Sequence, residues 1–131
     1  MGKPVAKEND RVVGLDTHVV LVPSPAGSVP TPLPAPFSGP LSADLCSTVL
    51  VDGAPAAVVG STARNTPPHI PVAGPFQNSP SNRATVKEGS STVYAGNRPI
   101  ARAADPAECC NDPRDAQTGH VVATGTVFAG G

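Results

Sequence analysis

The sequence predicts an all-β fold, a compact and conical pseudo-threefold arrangement of short β-hairpins with long proline-rich loops and a metal near the vertex. Three observations predict it. The 131 residues include 17 prolines and 13 glycines with only 3% aromatic residues, which opposes long helices because proline lacks a backbone donor and glycine costs helix entropy. A short strand pattern recurs three times, and each copy is associated with one histidine. The length favours one domain over residues 1–131.

The repeated pattern is a β-branched or aromatic run that ends in a turn sequence. It appears as STVLVDG at 47–53, STVYAGN at 91–97 and GTVFAGG at 125–131. Asp-Gly, Gly-Asn and Gly-Gly are typical of hairpin turns that need positive φ. Second strands follow the first two turns, at 54–61 (APAAVVGS) and 98–105 (RPIARAAD), and 5–10 (VAKEND) looks like the end of the same strand. Such a repeat cannot bury a core alone, so we expect three copies to close around an axis.

Two long connections, about 23–40 and 67–80, are rich in proline. Loops of this length in a compact domain are usually packed or functional. Their composition predicts stiff, polyproline-like segments instead of flexible linkers.

The three histidines are candidate metal ligands because they follow the repeated strands. His18 lies eight positions after Asp10 and His69 lies eight after Ser61, whereas the third strand meets Cys109 and Cys110 before His120. If equivalent strand ends converge at one pole, three imidazoles and one thiolate form a closed tetrahedral set, which suits structural zinc.

Cys110 is the preferred fourth ligand, since adjacent side chains of an extended backbone point to opposite sides. Cys109 remains the alternative ligand. Cys46 precedes the first hairpin, and we expect it to be a small buried hydrophobic residue away from the metal pole. A disulfide from Cys46 to Cys109 or Cys110 is the alternative prediction, which synthesis in the cytosol disfavours.

Several functional classes are disfavoured by the sequence. The formal net charge of −1 gives no basic footprint for nucleic acid. No catalytic triad order, phosphate-binding loop or metalloprotease helix is present, so the chain is predicted not to be an enzyme. The acidic residues are expected mainly as turn formers and surface charges: Asp10, Asp16, Asp105, Glu108, Asp112 and Asp115. The N-terminus has no apolar signal core, which predicts synthesis in the cytoplasm.

The strand sequences GAPAAV (53–58), NRPIAR (97–102) and ARAAD (101–105), together with the Thr-Val hairpins and spaced histidines, resemble the Pro-Ala-Ala-Arg (PAAR) repeat. The resemblance departs from the repeat at Val58, where arginine is expected, and at Ile100, where alanine is expected. It implies a cone seated on the trimeric β-helical spike of a type VI secretion, phage-tail or related contractile injection system. It also implies one zinc ion held by the set of His18, His69, Cys110 and His120.

Such a protein caps and sharpens the spike and helps to pierce the target cell envelope. We expect one tip per spike trimer, transient contact with the target membrane, and delivery to the cell exterior or the target cell. Effector cargo is a candidate further partner, and the sequence leaves open whether it binds. Since the chain starts at the first repeat and ends with the third, we expect a bare tip without a toxin domain. The spike contact is expected opposite the metal pole, around Thr48, Thr92 and Thr126.

Two other functions stay open from the sequence. One is a small zinc-dependent hydrolase, which requires an open coordination position and an activated water. The other is a disulfide-linked extracellular adhesion module. Hydrolase assays on ligand variants test the first reading, and free-thiol counting tests the second.

Overall fold

A computed structural model describes residues 2–131 of the chain, and these residues form twelve β-strands and no helix. The strands are β1 (Lys3–Pro4), β2 (Arg11–Val22), β3 (Val29–Ala43), β4 (Cys46–Val51), β5 (Ala54–Ala56), β6 (Thr62–Arg64), β7 (Arg83–Val86), β8 (Tyr94–Ala95), β9 (Arg98–Pro99), β10 (Pro106–Cys109), β11 (Ala116–Val122) and β12 (Phe128–Ala129). The prediction of an all-β fold is confirmed. Within the described part of the chain there is therefore no helix long and apolar enough to cross a membrane.

Six of the strands form a closed antiparallel barrel. Their order around it is β10, β11, β2, β3, β6 and β7, and β7 pairs with β10 to close the circle. The barrel thus consists of three consecutive pairs, β2–β3, β6–β7 and β10–β11, each joined by one connection. Closure leaves no unpaired barrel edge over the residues that take part in these ladders.

The other six strands form three two-stranded sheets, β4–β5, β8–β9 and β1–β12. The first two are the hairpins predicted at 47–61 and 91–105. The third is made from the two ends of the chain, since Lys3 pairs with Ala129 and Pro4 pairs with Phe128. The last repeat copy therefore finds its second strand at the N-terminus, directly before the partial strand at 5–10.

A ring of backbone hydrogen bonds joins the three units and shows their threefold relation. The Ala6 N–H donates to the Ala101 carbonyl (2.9 Å), Ala101 donates to Ala57 (2.9 Å) and Ala57 donates to Ala6 (3.0 Å). All three side chains are completely buried. A small side chain suits a close-packed position where three backbones meet, which accounts for the alanine at this position of each repeat.

The turn beyond each of these alanines is also repeated. In each unit, one backbone N–H donates to a side-chain oxygen three residues later, and the residue before that side chain has positive φ. The three donor and acceptor pairs are Lys7 to Asp10 (3.0 Å), Val58 to Ser61 (3.0 Å) and Arg102 to Asp105 (2.7 Å). The positive-φ residues are Asn9, Gly60 and Ala104. The same turn is therefore built from three different sequences.

The buried apolar residues form two clusters. One fills the barrel around Val12, Phe37 and Leu41 and includes the three alanines of the ring. The other lies beneath the three hairpins and consists of Val5, Cys46, Val51, Ala56, Val58, Ala95, Ile100 and Ala129. Cys46 is 7% exposed there, so its prediction as a small buried residue outside the histidine region agrees with the structure.

The first proline-rich connection is a β-strand for most of its length, which corrects the prediction of a polyproline-like loop over 23–40. Strand β3 pairs with β2 from the Arg11–Pro40 pair to the Val22–Val29 pair. Its prolines occupy alternate positions, namely Pro30, Pro32, Pro34, Pro36 and Pro40. Ser38 lies at an even-numbered position, as the prolines do, and its N–H points away from β2 and donates to Asn65 Oδ1 (2.9 Å). The N–H groups that the prolines lack would all lie on the edge of β3 that faces away from β2. Proline is tolerated in a sheet at such an edge.

The second proline-rich connection, predicted at 67–80, belongs to the segment 65–82 between β6 and β7, which lies along the edge of β2 beyond β11. Leu21 donates its N–H to the Pro75 carbonyl (2.8 Å), and Gln77 donates to the Val19 carbonyl (2.9 Å). The connection is thus packed against a strand, as expected for a long loop in a small domain. It brings His69 to β2.

Candidate metal centre

Strand β2 supplies two side chains of the candidate metal centre. Buried residues alternate along this strand with a period of two, and Asp16 and His18 are on its inward face. Asp16 has no exposed surface and His18 is 2% exposed. The same alternation carries Val12 and Val20 inward, so the two polar side chains lie between buried valines on this face of the strand.

The connection 65–82 supplies His69. Its backbone N–H donates to Asn82 Oδ1 (2.8 Å), and Asn65 Nδ2 lies 3.2 Å from its Nδ1 atom. The ring is tilted by 56° to that of His18, with 4.8 Å between centroids, and its Nε2 atom lies 2.8 Å from Asp16 Oδ2. The His69 side chain is only 3% exposed.

Cys110 supplies the fourth side chain, directly after β10. Its backbone N–H donates to the Arg83 carbonyl (3.2 Å). Its Sγ atom lies 3.5 Å from Asp16 Oδ2 and 3.6 Å from His18 Nε2. One ligand atom from each of Asp16, His18, His69 and Cys110 lies within 4.8 Å of the others. The group could hold a metal ion.

The protonation of the group follows from its burial. Burial, with His69 alongside, lowers the pKa of His18 below its ordinary value, so the ring is neutral near neutral pH and keeps a lone pair for a metal. Burial and the negative charge of Asp16 raise the pKa of Cys110 to about 11. Without a cation the sulfur is therefore a thiol, and a metal must displace its proton.

A second carboxylate lies behind His18. Asp112 Oδ2 is 3.7 Å from His18 Nδ1 and accepts a hydrogen bond from the Val19 N–H (2.8 Å). Among residues 2–131, His18 Nδ1 is the only buried side-chain nitrogen or oxygen without a hydrogen bond. Its other nitrogen, Nε2, points toward Cys110. A carboxylate behind the remote nitrogen of a ligating histidine is a common feature of metal sites.

The structure does not bring His120 into this group, which corrects the expectation that all three histidines converge. Val121 donates its N–H to the Asp105 carbonyl (2.9 Å), as Leu41 does to Asp10 and Val86 does to Ser61. His120 is thus equivalent to Pro40 and Thr85, at the end of the barrel next to the alanine ring. It is exposed on β11, between two buried neighbours. Its side chain lies on the exposed face of β11 and outside the group.

Two other predicted placements can be read from the structure. Cys109 is completely buried in the barrel core and is not part of the group, whereas Cys110 is. Burial and the charge of Asp16 raise the pKa of Cys109 to about 12. All three cysteines of the chain are free. Thr48, Thr92 and Thr126 are exposed on the three hairpin units.

Asp16 is the residue that sequence reasoning missed, because it was assigned with the other acids to turns and surface. It lies instead inside a strand, on the same face as His18. The period-two pattern of β2 contained the signal, since Leu15, Thr17 and Val19 alternate with Asp16 and His18. A carboxylate two residues from a histidine in a strand shares its face.

The fold and the group define a small threefold β-repeat protein with a buried cluster of metal-binding side chains. A family model described as PAAR motif matches residues 22–109, which is more than half of the chain. The chain belongs to the PAAR family, the structural spike-tip family of contractile injection systems. His18 and Cys110 lie just outside the matched span. Neither a curated protein nor a solved structure matched the chain.

Proposed function

We propose that the protein is a structural zinc-binding tip that caps and sharpens the trimeric spike of a contractile injection system. In this role it is not an enzyme, and it helps to pierce the envelope of the target cell. One observation carries the docking part of the proposal. The three hairpin units present equivalent apolar side chains to solvent on the side of the alanine ring away from the barrel.

These side chains occupy the same position in each repeat, two residues after Thr48, Thr92 or Thr126. Leu50 is 61% exposed, Tyr94 is 58% exposed and Phe128 is 60% exposed. Three large apolar side chains with nearly equal exposure, related by threefold symmetry, are typical of a surface that a partner covers. A trimeric spike offers an equivalent contact to each unit, whereas a partner without threefold symmetry does not.

The metal part of the proposal is supported by the chemistry of the buried group. Imidazole, thiolate and carboxylate are all zinc ligands, and four protein donors leave no open position for a reactive water. A closed site of this kind stabilises a fold. Zinc in small structural sites contributes about 10–16 kcal/mol of apparent binding free energy. We therefore expect one zinc ion per chain, and removal by a chelator should lower the melting temperature strongly.

The remaining parts of the proposal follow from the spike-tip role. The protein is synthesised in the cytoplasm, assembles at the end of the apparatus and is carried to the cell exterior or the target cell. It contacts the target membrane transiently and binds no nucleic acid.

The docking proposal is tested with a purified trimeric spike protein and the full chain. Size-exclusion chromatography with light scattering should give one chain per trimer. Tyr94→Glu places a charge on the apolar surface and should abolish the complex, because a desolvated charge without a partner is costly. Val29→Glu is the matched control, since Val29 is 50% exposed but lies at the Val22–Val29 end of the β2–β3 pair, away from the hairpin units.

Both variants should keep the zinc content and the melting temperature of the wild-type protein. Three chains per trimer would contradict the proposal. An equal loss of binding in the control variant would do so as well.

A further inference from the structure

We propose that Asp16 supplies the fourth donor to the zinc ion, so that the site consists of two imidazoles, one thiolate and one carboxylate. This inference rests on the proposed zinc-binding function and specifies its ligands. It differs from the set of three histidines and one cysteine that the sequence predicts, because the carboxylate takes the place of His120.

The distances within the group fit a tetrahedral site after small movements. With zinc–nitrogen bonds of about 2.0 Å and zinc–sulfur bonds of about 2.3 Å, neighbouring donors lie roughly 3.3–3.5 Å apart. The Cys110 Sγ atom lies 3.5 Å from Asp16 Oδ2 and 3.6 Å from His18 Nε2. Asp16 Oδ2 and His69 Nε2, now 2.8 Å apart, must separate by about half an ångström. The widest separation in the group, up to 4.8 Å, must contract.

The charge of the group gives an independent argument. Asp16 is fully buried, and in the described part of the chain its only ion-pair partner is His69. Its other polar contacts are the Thr118 hydroxyl (3.3 Å) and the Cys110 thiol. A buried carboxylate without a lasting positive charge nearby is costly.

A zinc ion removes that cost. Its two positive charges balance one carboxylate and one thiolate, and the complex is neutral. Direct coordination places the Asp16 charge against the cation, which is the contact that best compensates the desolvation of this carboxylate.

Asp112 completes the arrangement as a positioning residue for His18. Its carboxylate is held by the Val19 N–H (2.8 Å) and faces the unpaired Nδ1 atom of His18 at 3.7 Å. This leaves Nε2 of His18 for the metal, on the side of Cys110. A small closing movement would let Nδ1–H donate to Asp112 and orient the ring.

The test compares three variants of the full chain with the wild-type protein. After dialysis with zinc chloride, zinc content is measured by elemental analysis, and zinc affinity is measured by competition with a chromogenic chelator. Asp16→Asn keeps the size of the side chain but is a poor ligand, and we expect it to weaken zinc binding roughly a hundredfold or more. Asp16→His replaces one ligand with another and should retain one zinc ion. His120→Ala should bind zinc as the wild-type protein does.

Cobalt(II) substitution provides a spectroscopic readout of the same variants. The wild-type and His120→Ala proteins should give the same intense absorption of tetrahedral cobalt with a thiolate ligand. Asp16→His should keep the tetrahedral intensity with shifted visible bands, since one oxygen donor becomes a nitrogen donor. This variant keeps the inference testable if Asp16→Asn does not fold.

The outcomes separate the inference from the proposed function. Normal zinc binding by Asp16→Asn, or an unchanged cobalt spectrum in Asp16→His, overturns the role of Asp16 while zinc binding itself stands. Loss of zinc in His120→Ala also overturns it and supports the set predicted from the sequence. A wild-type protein that binds neither zinc nor cobalt overturns both.

Discussion

The buried ion pair between Arg102 and Asp105 offers a test of the threefold equivalence of the repeats. Arg102 is 6% exposed and Asp105 is 3% exposed. The guanidinium donates from Nη2 to Asp105 Oδ1 (3.1 Å) and from Nε to Oδ2 (3.2 Å), while the Arg102 backbone N–H donates to Oδ2 (2.7 Å). In the second repeat, Val58 and Ser61 occupy these positions, and the serine alone accepts the backbone N–H. The same turn is thus stabilised by a buried ion pair in the third unit and by uncharged groups in the second.

Replacing Asp105 with serine copies the second repeat only in part. The backbone hydrogen bond is kept, but the buried guanidinium loses its counter-charge, and we expect a loss of about 3–5 kcal/mol in the free energy of unfolding. That is a large share of the roughly 5–15 kcal/mol that stabilises a typical domain. The double variant Arg102→Met with Asp105→Ser removes both charges and keeps much of the length of the side chain. Its free energy of unfolding should lie within about 1–2 kcal/mol of the wild-type value. Part of the remaining loss is the hydrogen bond that Arg102 Nη1 donates to the Gly130 carbonyl.

Urea denaturation of the zinc-loaded protein, followed by circular dichroism, measures these differences. The single variant Arg102→Met completes the double-mutant cycle and should also be strongly destabilised, because it leaves a buried carboxylate. The prediction is wrong if the free energy of unfolding of the double variant is no higher than that of the less stable single variant. It is also refuted if Asp105→Ser costs less than about 1 kcal/mol.

Three further predictions concern the barrel and the candidate metal centre. Cys110→Ser should release zinc, whereas Cys109→Ser should keep it but lose about 1–3 kcal/mol of stability, since a hydroxyl enters an apolar core; elemental analysis and urea titration check both. Burial raises the pKa of the Cys110 thiol to about 11, so zinc must displace the thiol proton throughout the range from roughly pH 7 to 9. Chelator competition should therefore show zinc affinity rising about tenfold for each unit by which the pH rises. Gly39→Ala should destabilise the protein by about 1–3 kcal/mol or more, because a Cβ atom there would overlap the Arg64 carbonyl oxygen; thermal unfolding measures the loss.

The repeat pattern determined most of the architecture from the sequence. Turn residues after short β-branched runs predicted the hairpins β4–β5 and β8–β9 because such turns are set by local backbone preferences. The incomplete copies at 5–10 and 125–131 also indicated a third unit. The sequence could not show that these two copies pair with each other, because that pairing depends on closure of the ring through Ala6, Ala57 and Ala101.

The proline-rich segment 23–40 shows the limit of composition as a guide. Proline is a poor strand residue on average, so its density predicted a loop. The alternate spacing of the prolines permits a strand, because every missing N–H donor then lies on the same edge of β3. Only the pairing of the two strands shows that this edge is the one that faces away from β2.

The candidate metal centre divides in the same way. Local spacing placed His18 and His69 at equivalent points, and the rule that adjacent residues of a strand face opposite sides separated Cys110 from Cys109. The position of His120 was decided by the return strand β11, whose register with Asp105 places it near the alanine ring and on the outer face. The contribution of Asp16 depends on the burial of β2 beneath the 65–82 connection. Local pattern determines which residues share a face, whereas long-range register determines which faces meet, because a shift of one residue in the pairing turns every side chain to the opposite side.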